Sequence, residues 1–182
     1  MKYRTQRLLI SSISLDYINE VHQLHSLPEV DRFNTLGIPA SVDVTKKIML
    51  QWLEIQEADP ATGYVFSVKL IDTNEFIGVA GLNLGKPNYR IGEIWYKLDP
   101  RHWNKGYASE ALAEILKMCF IKLKLHRIEA GCAVDNTASI KVLEKAGFVR
   151  EGRKRAILPV RGEWMDNYFY AILDNDYNNL NK

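Results

Sequence analysis

The chain has 182 residues, of which 47% are hydrophobic and 25% are charged, and its net charge is +2. That length is enough for one domain with a sizeable core and short for two. The balanced charge argues against a nucleic-acid surface and against a surface for anionic membranes, since both need an excess of basic residues.

Cysteine, histidine and apolar patterns narrow the class further. Cys119 and Cys132 stand alone in the sequence, without the spacing of a metal site or a disulfide framework, so we expect two reduced, buried thiols. His22 and His25 share a predicted helix face, but no acid or cysteine completes a metal site there. The apolar run at residues 8–10 is too short for a signal peptide or a membrane span. We therefore expect a cytoplasmic protein without a bound metal.

The first part of the chain predicts one strand, a helical region and three consecutive strands. The strand covers residues 4–13, the helices 15–24, 29–35 and 42–57, and the later strands 64–71, 76–84 and 91–98. Short links rich in turn-forming residues separate the last three strands. These links predict an antiparallel meander.

A glycine-bearing loop at residues 101–110 follows the meander and leads into a long helix that begins near Lys105. A strand that runs through such a turn into a helix presents free backbone N–H groups and a positive dipole end. Both features suit a phosphate or pyrophosphate. The loop therefore predicts a binding site for an anionic cofactor.

The long helix is indicated by apolar residues that recur at spacings of three and four from Ala108 to Leu123. A strand at 127–134, a helix from the Asn136 cap to Gly147, and two strands at 148–158 and 164–173 come next. The predicted domain covers residues 1–175, and 176–182 form a polar, frayed tail. This order predicts an α+β fold, with one mixed sheet and helices on its faces.

Four stretches of the chain resemble the GCN5-related N-acetyltransferase superfamily, in the branch that includes the ribosomal-protein N-terminal acetyltransferases. They are the loop with Arg101, Asn104 and Gly106; residues 126–130; Asn136 and Ser139 followed by Gly147 and Phe148; and Arg7 and Leu8 together with residues 164–170. The resemblance covers nearly the whole chain in the expected order. It implies a mostly antiparallel central sheet whose fourth and fifth strands, 91–98 and 127–134, splay apart.

The resemblance also implies acetyl-CoA as co-substrate. The predicted cofactor-binding residues are Arg101, Asn104, Lys105, Gly106, Tyr107, Ala108, Ser109 and Asn136. The loop would hold the pyrophosphate, with Arg101 and Lys105 adding positive charge. Unpaired backbone groups of the two splayed strands would bind the pantetheine arm.

Two positions depart from the family pattern. Asn104 stands where the loop motif has its first glycine, and asparagine tolerates a left-handed backbone better than most residues. Leu143 stands where many relatives have a tyrosine that protonates the leaving thiolate. That proton must come from elsewhere, and a non-catalytic acyl-CoA-binding module is one alternative.

Acetyl transfer needs a neutral amine, a donor to the developing oxyanion and a proton for the departing sulfur. Glu93 is the predicted base, Ser139 the predicted partner of the thiolate, and a backbone N–H of strand 91–98 the predicted oxyanion donor. Each has a structural alternative, since Glu93 can be a solvated strand residue and Ser139 can satisfy backbone groups in a helix start.

The acceptor is predicted to be a primary amine. An α-amino group, with a pKa of about 7.7 to 8, is partly neutral at physiological pH, whereas a lysine near 10.4 is not. This favours a protein N-terminus, with a polyamine, amino sugar or amino acid as the small-molecule alternative. The sequence leaves open whether the protein is a monomer or a homodimer.

Overall fold

An eight-stranded sheet runs through the computed structural model of the protein, which describes residues 1–180. Its spatial order is β1-β2-β3-β4-β5-β6-β8-β7, and every neighbouring pair is antiparallel except β5 with β6. The strands are β1 (Lys2–Arg4), β2 (Leu8–Ser12), β3 (Gly63–Leu70), β4 (Phe76–Leu84), β5 (Ile91–Leu98), β6 (Arg127–Ala133), β7 (Val149–Val160) and β8 (Glu163–Leu173). The predicted α+β class and the mostly antiparallel sheet are confirmed.

Helices cover both faces of the sheet, as predicted. They are α1 (Ile18–His25), α2 (Pro28–Asp31), α3 (Val42–Glu57), α4 (Tyr107–Lys117), α5 (Thr137–Lys145) and α6 (Asp174–Leu180). One apolar cluster joins α4 and α5 to the sheet, and a second joins α1 and α3 to the other face. We call the second side the α1–α3 face. None of the helices in the described residues is long and apolar enough to cross a membrane.

The splay between β5 and β6 is the feature that shapes the site. The two strands pair in parallel over three residues only, and the last pair is Glu93 opposite Glu129. Beyond it, β5 stays paired with β4 through Leu98, and β6 stays paired with β8 through Ala133. Each strand therefore keeps one partner and turns an unpaired edge toward the other.

Two N-terminal predictions need correction. The strand predicted at residues 4–13 is shorter, because it is β2 at Leu8–Ser12, and β1 before it folds back to form a hairpin with Lys2 opposite Ser11. The short helix predicted at 29–35 ends at Asp31, where α2 stops after one turn. Both errors concern segments too short for a hydrophobic period to define.

Two C-terminal predictions also differ from the structure. The long helix changes at Met118 into a π-helical turn, Met118–Lys122, in which the Leu123 N–H donates to the Met118 carbonyl at 3.0 Å. The predicted frayed tail is helical as far as Leu180, because Tyr177 stacks on Phe120 with 4.9 Å between ring centroids. Residues 181–182 of that tail lie outside the described residues.

Candidate active site

The loop before α4 has the backbone shape that the sequence predicts. Asn104 has φ 58° and Gly106, the N-cap of α4, has φ 80°, so both adopt the left-handed conformation. Within residues 1–180, no backbone acceptor pairs with the six N–H groups of residues 104–109. Such a run of free N–H groups at a helix start forms a concave site for an anion.

Arg7 braces this loop from the N-terminal hairpin. Its Nε donates to Glu110 Oε2 at 2.7 Å, and its Nη1 donates to the Lys105 carbonyl at 3.0 Å. The guanidinium also lies 4.4 Å from the centre of the Tyr107 ring. The second carboxylate oxygen of Glu110 accepts from Thr5 Oγ1 at 2.6 Å. The sequence marks Arg7 by the resemblance alone; the structure shows that it fixes the loop through a carbonyl and leaves the N–H groups free.

Arg101 does not supply free positive charge to the loop. Asp99 caps the turn before it and accepts from the Arg101 N–H at 2.9 Å and from Nη2 at 2.8 Å. Glu75 lies 3.5 Å from the same Nη2. Lys105 is exposed and forms no ion pair in the described part of the chain, so it is the cation that remains available beside the N–H groups.

We expect Gly106→Ala to weaken CoA binding about tenfold, because a side chain in the left-handed region costs about 1–2 kcal/mol and the loop would relax away from its present shape. Titration calorimetry with CoA measures the effect. Gly37→Ala is the matched control, since Gly37 has φ 74° and nothing lies within 4 Å of a Cβ added there. Equal loss of affinity in the two variants would show that the shape of this loop is unimportant.

Glu93 sits at the mouth of the splay, at the last paired position of β5. The side chain of Glu93 is exposed. Partial desolvation of its carboxylate nevertheless raises its pKa, and the carboxylate of Glu129 raises it further. Glu129 itself accepts from Arg127 Nε at 2.7 Å, and Arg127 also pairs with Glu151. Glu93 is therefore the carboxylate of the pair without an ion-pair partner in the described residues, and its raised pKa makes it the stronger base.

Ser139 meets a residue that sequence reasoning missed. Its Oγ lies 2.8 Å from the hydroxyl of Tyr96, and its N–H donates to Asn136 Oδ1 at 3.1 Å, so Asn136 caps α5. Burial raises the pKa of Tyr96, so its phenol stays protonated, although the hydrogen bond between Tyr96 and Ser139 acts in the opposite direction. The available signal was strand alternation, which places Tyr96 on the α5 side of β5.

Leu143, at the position of the family's tyrosine, is 1% exposed and belongs to the core between helix and sheet. It fills space and offers no proton. Tyr96 and Ser139 are the hydroxyl groups found near the splay instead. They lie on the side of the sheet opposite to the one that Glu93 faces, because residues 93 and 96 point to opposite faces of β5.

Trp95 lies beside Glu93 on the α1–α3 face of the sheet. Its ring centre is 5.5 Å from that of Trp52 on α3. Gly81 on β4 makes room for the indole, since a Cβ at Gly81 would lie 2.2 Å from Trp95 Cε2. Lys97 follows on the same face of β5. In residues 1–180, no group of three or more His, Cys, Asp or Glu side chains is placed to hold a metal ion.

Comparison with known proteins adds a family to this geometry. The model of the acetyltransferase (GNAT) domain matches residues 7–149. The uncharacterized N-acetyltransferase YnaD of Bacillus subtilis is 34% identical over 180 residues, which is 98% of this chain and 100% of YnaD. The L-amino acid N-acetyltransferase AaaT of Escherichia coli is 31% identical over 83% of this chain and 88% of its own length.

Solved structures share the architecture. A GNAT-family acetyltransferase from Bacillus anthracis has a TM-score of 0.83 and 33% identity, with 96% of this chain and 99% of that chain covered. Spermidine N-acetyltransferase from Vibrio cholerae, in complex with CoA and spermine, has a TM-score of 0.84 and 21% identity, with 95% and 99% covered. The latter identity supports the fold alone.

Proposed function

Because the chain belongs to the GNAT family of N-acetyltransferases, we propose that it transfers an acetyl group from acetyl-CoA to the α-amino group of an acceptor, by direct attack in a ternary complex. The observation that carries the proposal is the splay between β5 and β6. Glu93 lies at its mouth on one face of the sheet, and the hydrogen-bonded pair of Tyr96 and Ser139 lies on the other. A base and a donor to the leaving group thus flank one gap between two strand edges.

The residues around the gap fit CoA. The free N–H groups of residues 104–109 suit its pyrophosphate, and the exposed Lys105 adds charge beside them. The unpaired edges of β5 and β6 offer donors and acceptors for the two amides of the pantetheine arm, with Asn136 at the end of the gap. Bound acetyl-CoA supplies the activated thioester.

Glu93 accepts the proton that the amine loses, directly or through one water. A base of moderate strength is sufficient for an α-amino group, because that amine is already partly neutral near pH 7.7 to 8, about its own pKa. Positioning of the amine against the thioester contributes the larger share of the rate.

Ser139 donates a hydrogen bond to the departing sulfur, and Tyr96 donates one to Ser139 Oγ. The raised pKa of Tyr96 keeps its proton in place, so the pair acts as a polarised chain of donors and solvent supplies the final proton. This arrangement takes over the task for which Leu143 has no functional group.

Tyr96→Phe and Ser139→Ala are each expected to lower kcat about tenfold, the loss of one charge-assisted hydrogen bond. Because the two hydroxyls act as one chain, the double variant should lose little more than either single variant. Steady-state kinetics of free-thiol release measure all three. Losses that multiply in the double variant would mean that the two hydroxyls act independently.

The test of the function itself is an incubation with acetyl-CoA and a panel of amines, followed by thiol release and by mass gain of the acceptor. The panel contains N-terminal peptides, amino acids, polyamines and amino sugars. A small amine is the second candidate, and AaaT, named for L-amino acids, favours it. Tight CoA binding without turnover on any of these amines would overturn the proposal in favour of a non-catalytic acyl-CoA-binding module.

A further inference from the structure

Buried polar atoms without a hydrogen-bond partner concentrate on the α1–α3 face. Six such side-chain atoms occur in the described residues, and five of them belong to this side: His25 Nε2, Asp31 Oδ1, Asn34 Nδ2, Lys97 Nζ and Asn167 Oδ1. Buried polar groups nearly always have partners in native proteins. Several buried polar atoms without partners lie on one side of the sheet, next to the proposed catalytic gap. They indicate a polar ligand that supplies the missing hydrogen bonds.

The polar atoms without partners lie around the aromatic side chains of Trp52 and Trp95. His25 packs edge-on against Trp52, with 5.8 Å between ring centres, and Trp52 contacts Trp95. Lys97 follows Trp95 on the same face of β5. Asn167 projects toward this side from β8, since a Cβ at Gly131 on β6 would lie 2.8 Å from its Nδ2. The group thus spans α1, the α2 region, β5 and β8.

Among the charged side chains of this group, the Lys97 ammonium is the one that forms no ion pair in the described residues. Arg161, from the turn between β7 and β8, donates through Nε to Asp31 Oδ2 at 2.9 Å and through Nη2 to the Pro28 carbonyl at 3.0 Å. Asp31 is therefore already paired. Lys97 forms no ion pair in residues 1–180, and burial lowers its pKa to about 8, while Asp31 acts in the opposite direction. A buried ammonium that shares the charge of Asp31 with Arg161 is costly, and a ligand anion would relieve that cost.

We propose that the acceptor carries a carboxylate as well as its amine, and that Lys97 binds this carboxylate; the acceptor class is an amino-carboxylate such as a free amino acid. This inference rests on the proposed function, because it assigns the acceptor of the same site. Asn34 Nδ2 offers a second donor on this face, and the orphaned oxygens of Asp31 and Asn167 are left to accept from the ligand.

The positions of Glu93 and Lys97 along β5 suit an acceptor that carries both an amine and a carboxylate. Glu93 and Lys97 lie four residues apart on one face, about 13 Å between Cα atoms, and their long side chains shorten that span. The amine would lie at the Glu93 end and the carboxylate at the Lys97 end, over Trp95. A polyamine fits poorly, since its several positive charges would meet the Lys97 ammonium. Lys97 also favours the neutral form of a nearby amine, which is the reactive form.

The first experiment compares carboxylate and carboxamide forms of one acceptor. The wild-type enzyme is assayed with acetyl-CoA and the common L-amino acids, β-alanine, γ-aminobutyrate, spermidine and a short peptide, and then with the carboxamide of the best substrate. We expect kcat/KM to be roughly 10- to 100-fold higher for the carboxylate than for its carboxamide, as for one hydrogen-bonded ion pair. Comparable rates with the carboxamide, spermidine or the peptide would overturn the inference.

The second experiment changes Lys97. Lys97→Met should erase the preference mainly by raising KM for the carboxylate, while Lys97→Arg should retain it. Lys86→Met is the matched control, because Lys86 is an exposed lysine near Tyr89. Lys97→Met should also unfold at a higher temperature than the wild type, which separates a specific loss from misfolding. A Lys97→Met enzyme that keeps the preference would overturn the inference.

A binding measurement separates this inference from the proposed function. Calorimetry in the presence of CoA should show binding of the best amino acid and none of its carboxamide. Binding of this kind without acetyl transfer would overturn the catalytic proposal and leave the binding of a carboxylate by Lys97 standing. Transfer to amines without a preference for carboxylates would overturn the inference alone. Absence of any amino-acid binding would also overturn it.

Discussion

Replacing Glu93 by glutamine is expected to lower kcat at pH 7 by about 100-fold, the lower end of what a general base contributes. The lower end applies because an α-amino acceptor is already partly neutral. For the same reason the deficit should shrink as the pH rises above the pKa of the amine. Affinity for CoA should stay within about twofold of the wild type, since the free N–H groups that suit its pyrophosphate are at residues 104–109. Steady-state kinetics across pH and calorimetry with CoA measure the two effects.

Glu129→Gln is the matched control for Glu93→Gln, because Glu129 lies directly opposite Glu93 in the sheet and is already paired with Arg127. Its kcat at pH 7 should stay within about threefold of the wild type, as expected for a partly exposed ion pair. Loss of this like charge should lower the pKa of Glu93, so the acid limb of the kcat profile should move to lower pH. A Glu129→Gln variant as impaired as Glu93→Gln would assign the base to Glu129.

The second large effect concerns stability in mild acid. Burial, and to a smaller extent the charges of Lys97 and His22, lower the pKa of His25 to about 3. The unfolded chain binds a proton at His25 below about pH 6.5, and the folded protein does not until near pH 3. Stability is therefore full above pH 6.5 and falls as the pH falls. We expect a loss of about 2 kcal/mol in unfolding free energy between pH 7 and pH 5.

Urea unfolding followed by circular dichroism at pH 7, 6 and 5 measures this loss. Lys97 contributes nothing to the slope in this window, because it is protonated in both states. His25→Phe keeps an aromatic ring against Trp52 and should flatten the pH dependence. His126→Gln, at an exposed histidine, should keep it. A His25→Phe protein that loses stability in parallel with the wild type would exclude His25 as the source.

The sequence predicts the parts of this fold that depend on neighbours along the chain. The meander and α4 follow from local periodicity and short turns, and the left-handed backbone of Asn104 follows from its residue type. The role of Tyr96 could not be predicted in this way, because its partner Ser139 is 43 residues away. The pairing of Arg101 with Asp99 is local, and the adjacent acid could have signalled it.

The buried polar atoms without partners could not be predicted from the sequence, for the same physical reason. The contact between Asp31 and Arg161 joins residues 130 apart in sequence, and it decides which charges stay unpaired. Lys97 appears in the sequence as an ordinary polar residue of a strand. Only the folded structure shows that its ammonium is buried and has no hydrogen-bond partner among the described residues.

The splay also separates the strands that are synthesised first from those that are synthesised last. Strands β1 to β5 all lie in residues 2–98, and strands β6 to β8 all lie in residues 127–173. A nascent chain that has folded through β5 presents that strand as an open edge, the kind of surface that pairs with other chains and aggregates. Only the residues that follow β5 bring Ser139 to Tyr96 and β6 to Glu93. During synthesis the proposed catalytic groups can therefore come together only after β6 and α5 have been made, and a chain interrupted before β6 would hold half of the proposed site.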